Sequence, residues 1–146
     1  MEIKVASVEM LDDLKCNFGR SLEGLCLGLV ASCIKDETCI GLYNGKRLIG
    51  WCCWVMYPRR IDIVDVFVDE MWRKRGLAYV LMHEAIKVAR NHYSHEIDVE
   101  IVDDEQKYFK SIYEKNGTLE DNHKVDVIKL LKKAKKGLKR YNLIKD

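Results

Sequence analysis

The chain has 146 residues, 48% of them hydrophobic and 33% charged, which leaves room for one domain with one core and excludes an intrinsically disordered protein. Its longest run of apolar or small residues, Gly24 to Ile34, is 11 residues long, short of the roughly 18 a membrane helix needs. Met1-Glu2-Ile3-Lys4 leads into no signal-peptide core, so a cytoplasmic protein is expected.

Taken in chain order, Ile3 to Ala6 reads as a short first strand, and residues 8 to 18 carry Met10, Leu11 and Leu14 at helical spacing. Ser21 is a candidate cap for a second helix bearing Leu22, Leu25, Leu29, Val30 and Cys33. Thr38 to Tyr43 and Lys46 to Tyr57 are β-branched, aromatic and apolar, with Asn44-Gly45 between them as a type I′ hairpin turn. Pro58-Arg59-Arg60 turns into a further strand, Ile61 to Asp69. A long helix from about Arg75 to His92 has its apolar stripe at Leu77, Val80, Leu81, Ala85, Val88 and Ala89. From His95 to Val102 the alternation places Ile97, Val99 and Ile101 inward. A helix from about Glu105 to Lys115 stops at Asn116-Gly117. Val125 and Val127 indicate a last strand, and Leu131, Ala134, Leu138 and Tyr141 a short basic helix. The order β-α-α-β-β-β-α-β-α-β predicts an α/β (α+β) domain over 1–146 with a mixed sheet.

The net charge of +2 conceals a segregation: residues 96 to 105 carry six acids, whereas 129 to 145 carry eight bases and no acid. The basic C-terminal segment, 129–146, is either a solvated helix face or a docking surface for an acidic partner such as RNA, and charge alone does not choose. The six cysteines contain no Cys-x-x-Cys pair and no histidine at zinc-finger spacing, so buried, reduced thiols are expected and no metal.

The most informative segment runs from Ile61 to Ala78, where an apolar strand feeds a tight loop and the loop opens a helix. A helix's first turn offers unpaired N–H groups and the positive end of the macrodipole. Gly76 lets the backbone approach a bulky anion, Ala78 nearly so, and Arg73, Lys74 and Arg75 add positive charge. A pyrophosphate cradle and an ordinary basic turn are both compatible with these residues.

Arg73-Lys-Arg-Gly76-Leu-Ala78 resembles the (Gln/Arg)-x-x-Gly-x-(Gly/Ala) loop of the GNAT superfamily of acetyl-CoA-dependent N-acyltransferases. Ile112-Tyr113-Glu114-Lys115-Asn116-Gly117 resembles the family's second signature, Tyr-Glu-Lys-x-Gly. The spacing between the two agrees with the family, and the resemblance covers roughly residues 2 to 130. It implies a mostly antiparallel central sheet of six to seven strands flanked by helices, with the fourth and fifth strands splayed around the donor's pantetheine arm. That arm would lie along Val66, Phe67 and Val68, with the Val66 amide aimed at the thioester carbonyl. The pyrophosphate would rest on the backbone of Arg73, Lys74, Arg75, Gly76, Leu77 and Ala78, Leu77 turning inward. The resemblance also implies Tyr113 as proton donor to the departing thiolate, with a packing tyrosine as the alternative. Asp62 aligns with a carboxylate base found in some members, and Asp65 is expected on the opposite face of the strand. The implied activity is transfer of an acetyl group from acetyl-CoA to a primary amine by direct attack. Some small relatives instead acetylate aminoacyl-tRNA, a use the basic segment would suit, and members are often dimers. Gln106 and Thr118 depart from the family's usual asparagine and aromatic residue.

Overall fold

The structure, a computed structural model, describes residues 1–18, 25–101 and 125–143. Its elements are β1 (Glu2–Val5), α1 (Val8–Phe18), α2 (Leu25–Lys35), β2 (Cys39–Asn44), β3 (Arg47–Met56), β4 (Arg60–Val68), a 3-10 turn at Glu70–Trp72, α3 (Leu77–Arg90), β5 (Asp98–Ile101) and α4 (Val127–Arg140). The described strands form one sheet in the order β1-β2-β3-β4-β5, antiparallel throughout except for the parallel pair β4 and β5. Five strands are thus described where six to seven are expected. The segment holding the expected helix 105–115 lies outside the described residues.

Both faces of the sheet are covered, which is why Leu48 to Trp54 of β3 is apolar without alternation and fully buried. On one face Ile40, Leu42, Cys52, Trp54, Ile61, Ile63, Val66 and Val68 meet Leu77, Leu81, Ala85 and Ala89 of α3. On the other, Met10, Leu14 and Phe18, one stripe of α1 at four-residue spacing, pack with Val30, Cys33 and Ile34 of α2 against Trp51 and Cys53. Tyr43 donates its hydroxyl to Asp13 Oδ2 at 2.7 Å, tying β2 to α1, and burial followed by that carboxylate pushes the phenol's pKa upward.

The C-terminal region differs from the expected strand and short helix. Val125 makes a single bridge, its N–H donating to Val99 at 2.8 Å, while Val127 and Leu130 belong to α4. The reason is Asp126, whose side chain accepts from the Lys129 N–H at 3.1 Å and so starts the helix earlier. The β2–β3 loop is also shifted by one: Asn44 pairs with Arg47, and Gly45, at φ 61°, leads a Gly45-Lys46 loop.

Cys33, Cys39, Cys52 and Cys53 are buried thiols, and Cys39 and Cys53 face one another across β2 and β3 with sulfurs 3.3 Å apart. Burial pushes Cys52 and Cys53 up, while Cys33 is held at about 7 chiefly by its hydrogen bond with Cys53. Access therefore limits reactivity: in the native protein the thiol reagent DTNB is expected to react readily with exposed Cys16, and with these four only at the rate of unfolding.

Candidate active site at the β4–α3 junction

β4 places the candidate groups through one irregularity. Its register with β3 pairs Cys53 with Asp65 and then Trp54 with Ile63, so Val64 is the extra residue of a β-bulge. Ile61 and Ile63 on one side of the bulge, and Val66 and Val68 on the other, all enter the α3-side core. The expected opposition of Asp62 and Asp65 is thereby corrected. The bulge brings both carboxylates to the face that carries Val64 and Phe67 against α1 and α2.

Asp62 is 4% exposed and accepts from Arg60 Nε on Oδ1 at 3.1 Å. Arg60, two residues earlier on the same face, also lies 3.7 Å from Glu100 of β5. Among the described residues no side chain donates to the other Asp62 oxygen, Oδ2. In the sequence Arg60 reads only as a turn residue after Pro58; its i, i+2 spacing from Asp62 on a strand is the signal that pairs them. Asp65 accepts from Trp51 Nε1 at 2.9 Å, and Trp51 stacks on Phe67 at 4.4 Å and 15°. Phe18 stands edge-on to both rings, which rigidifies this wall of the strand.

The backbone of β4 is directed by the same ladder. The Asp69 N–H donates to Ile49 of β3 at 2.7 Å, and amides two apart along a strand point the same way. Phe67 therefore turns its amide to β3, whereas Val66 and Val68 turn theirs away. On that side β5 pairs only with Arg60 to Ile63. Among the described residues, Val64 to Val68 have no strand partner there.

The loop between β4 and α3 contains two left-handed residues, Lys74 at φ 61° and Gly76 at φ 78°. Arg73 turns back, donating through Nε to the Val68 carbonyl at 2.7 Å and covering the Phe67 ring at 5.4 Å, so it braces the strand end. The first bond within α3 runs from Val80 N–H to the Gly76 carbonyl at 3.3 Å. The amides of Leu77 and Ala78 come before it, where a helix has no acceptor of its own. Leu77 is buried as expected, and a Cβ built on Gly76 meets no atom of the described residues within 4 Å, so among them the space before the helix is open. Lys74, Arg75 and Gly76 also line a groove of about 530 Å³ whose opposite wall is the basic face of α4. Together these features set an open helix N-terminus and a basic groove beside a strand edge whose Val66 and Val68 amides have no strand partner among the described residues. Tyr113 lies outside the described residues, and among those described no group of His, Cys, Asp and Glu could hold a metal.

A sequence model of the Acetyltransferase (GNAT) family matches residues 9–117, and the chain belongs to that family. Among solved structures, Ard1 from Thermoplasma volcanium is similar at 18% identity and a TM-score of 0.60, over 79% of this chain and 80% of that one. A PaiA N-acetyltransferase from Thermoplasma acidophilum, solved with coenzyme A, is similar at 16% identity and 0.55, over 84% and 94%. Naa50 from Arabidopsis thaliana, solved with the bisubstrate analogue CoA-Ac-MVNAL, is similar at 15% identity and 0.58, over 79% and 80%. At such identities these likenesses concern the fold. No curated protein matches the sequence. No described helix is long and apolar enough to cross a membrane.

Proposed function

We propose that the protein transfers an acetyl group from acetyl-CoA to a primary amine of an acceptor within a ternary complex. The observation that supports this most is the junction itself: a glycine-led helix N-terminus directly follows a strand whose Val66 and Val68 amides face away from its neighbour. Acetyl-CoA would supply the activated thioester. The backbone of Arg73 to Ala78 would hold its pyrophosphate, with Gly76 allowing close approach, and Arg73 acting through the strand rather than on the phosphates. Val66 N–H would stabilise the oxyanion as the thioester carbonyl becomes tetrahedral. Val68 N–H would bond to the pantetheine arm, while Phe67 would shape the wall beside it.

Asp62 would take the amine's proton through Oδ2, directly or by a water, with Arg60 holding the carboxylate in position. Tyr113 would donate a proton to the leaving thiolate. An acceptor carrying an ammonium suits the pair of carboxylates, Asp62 and Asp65, that the bulge brings to one face.

The test is acetyl-CoA-dependent thiol release with a panel of primary amines and peptides, run as a pH profile for the native protein and Asp62→Ala. The variant is expected to lose about tenfold in kcat/KM near pH 6.5 and less than about twofold near pH 9, where free amine is abundant. A uniform loss across pH removes Asp62 as the base, and absence of any acetyl-CoA-dependent product overturns the reading.

A further inference from the structure

The sequence's basic run does not form one uniform face. Lys132, Lys133, Lys136 and Arg140 of α4 line the groove opposite Lys74 and Arg75, whereas Lys129, Lys135 and Lys139 do not. We propose that this groove is a second anion subsite, supplied by α4, that holds the phosphate monoester on the ribose of coenzyme A and makes the protein selective for donors that carry it. The inference rests on the reading that acetyl-CoA is the donor.

Three observations carry it. First, the groove is contiguous with the pyrophosphate loop, because Lys74, Arg75 and Gly76 line both. The approach is close: a Cβ on Gly137 of α4 would lie 3.6 Å from the Gly76 carbonyl oxygen. Second, its described lining includes six cations and no carboxylate. Like charges gathered in one concavity repel. A dianionic phosphate relieves that repulsion better than solvent does. Third, the groove's size, about 530 Å³, is that of a nucleotide, and the Tyr79 ring, with Lys133 Nζ 5.7 Å from its centre, gives it an aromatic wall. A nucleic-acid backbone tracks a stripe of cations along an element; here the cations of one helix divide, and four of them converge with the loop on a single pocket. Coenzyme A carries its monoester one ribose away from its pyrophosphate, the separation that two adjoining anion sites demand.

The experiment is calorimetric titration of the full chain with coenzyme A, with 3′-dephospho-coenzyme A and with adenosine 3′,5′-bisphosphate, repeated on Lys132→Ala/Lys136→Ala. Alanine favours a helix, so α4 is retained in the variant. Coenzyme A is expected to bind about tenfold or more tighter than its dephospho form in moderate salt. In the variant that ratio should fall below about twofold with dephospho-coenzyme A affinity unchanged, and the bisphosphate, which binds the native protein, should bind the variant weakly. Equal affinity of the native protein for the two coenzymes overturns the subsite and leaves the donor assignment standing. Failure of both to bind overturns the donor assignment and the subsite with it. If a single-stranded RNA binds through Lys132 and Lys136 while the two coenzymes are bound equally, the groove belongs to nucleic acid and the proposal is wrong.

Discussion

Gly76→Glu is expected to reduce acetyl-CoA affinity by about 100-fold or more while the protein remains folded. Two effects combine at this position. The residue sits at φ 78°, where any side chain costs about 1 kcal/mol of backbone strain, and this alone lowers Tm by a few degrees. The larger effect is electrostatic. Among the described residues the space before it is open, so the new carboxylate has room, and it occupies the positive end of α3 that the pyrophosphate would use. Gly76→Gln, of the same size without charge, separates obstruction from repulsion, and Gly76→Asn, which accepts the left-handed conformation readily, should lose less than about tenfold. Calorimetry gives the affinities, and melting curves confirm the fold. Native-strength binding of acetyl-CoA by Gly76→Glu would place the donor elsewhere on the molecule.

Much of the scaffold was legible because its elements obey simple periods. The stripe at Leu77, Leu81, Ala85 and Ala89 predicts α3 to within two residues at either end, and the alternation at Ile97, Val99 and Ile101 predicts the buried side of β5. The strand–loop–helix junction was legible as residue types in order, with an apolar strand, a basic loop and a glycine at the start of α3. What escaped were features made by breaking a period. A bulge at Val64 inverts the facing of everything after it, so strict alternation from Ile61 separates Asp62 from Asp65, which the folded strand brings to one side. Nothing in the local residues marks that insertion, because it is set by how β3 and β4 pair. The valines at 125 and 127 look like a strand by composition, yet one capping aspartate commits the second of them to a helix. Arg73 escaped for another reason. Its charge suggests a phosphate ligand, but its Nε donates to the strand-end carbonyl of Val68, which a long flexible guanidinium reaches at once. The basic run was visible from the outset as charge. Its division into groove-lining and outward-facing cations depends on the angle at which α4 crosses α3, a property of packing.

That crossing underlies the second large effect, at Gly137. A glycine within a helix costs about 1 kcal/mol relative to alanine, so its presence in α4 asks for a compensating contact. The contact is close approach: a Cβ at this position would stand 2.6 Å from Val80 Cγ2, inside a cluster formed by Val80, Ala134 and Leu138. Valine is stiff at χ1 and Val80 is fully buried, so the neighbour has little room to give. Gly137→Leu should therefore drive the helices apart at a cost of about 2–3 kcal/mol. For a domain of this size that lowers Tm by roughly 5–10 °C. It should also weaken discrimination between coenzyme A and its dephospho form, since Lys136 and Arg140 move with the helix. The decisive comparison is a reversal of sign. In the native background Gly137→Ala destabilises, because overlap exceeds the gain in helix propensity. In a Val80→Ala background the obstructing methyl is gone, and the same substitution should raise stability by about 0.5–1 kcal/mol, a coupling that a double-mutant cycle by chemical denaturation measures directly. Additive behaviour of the two changes would mean that α4 does not rest on Val80, and that the groove it walls has a different shape.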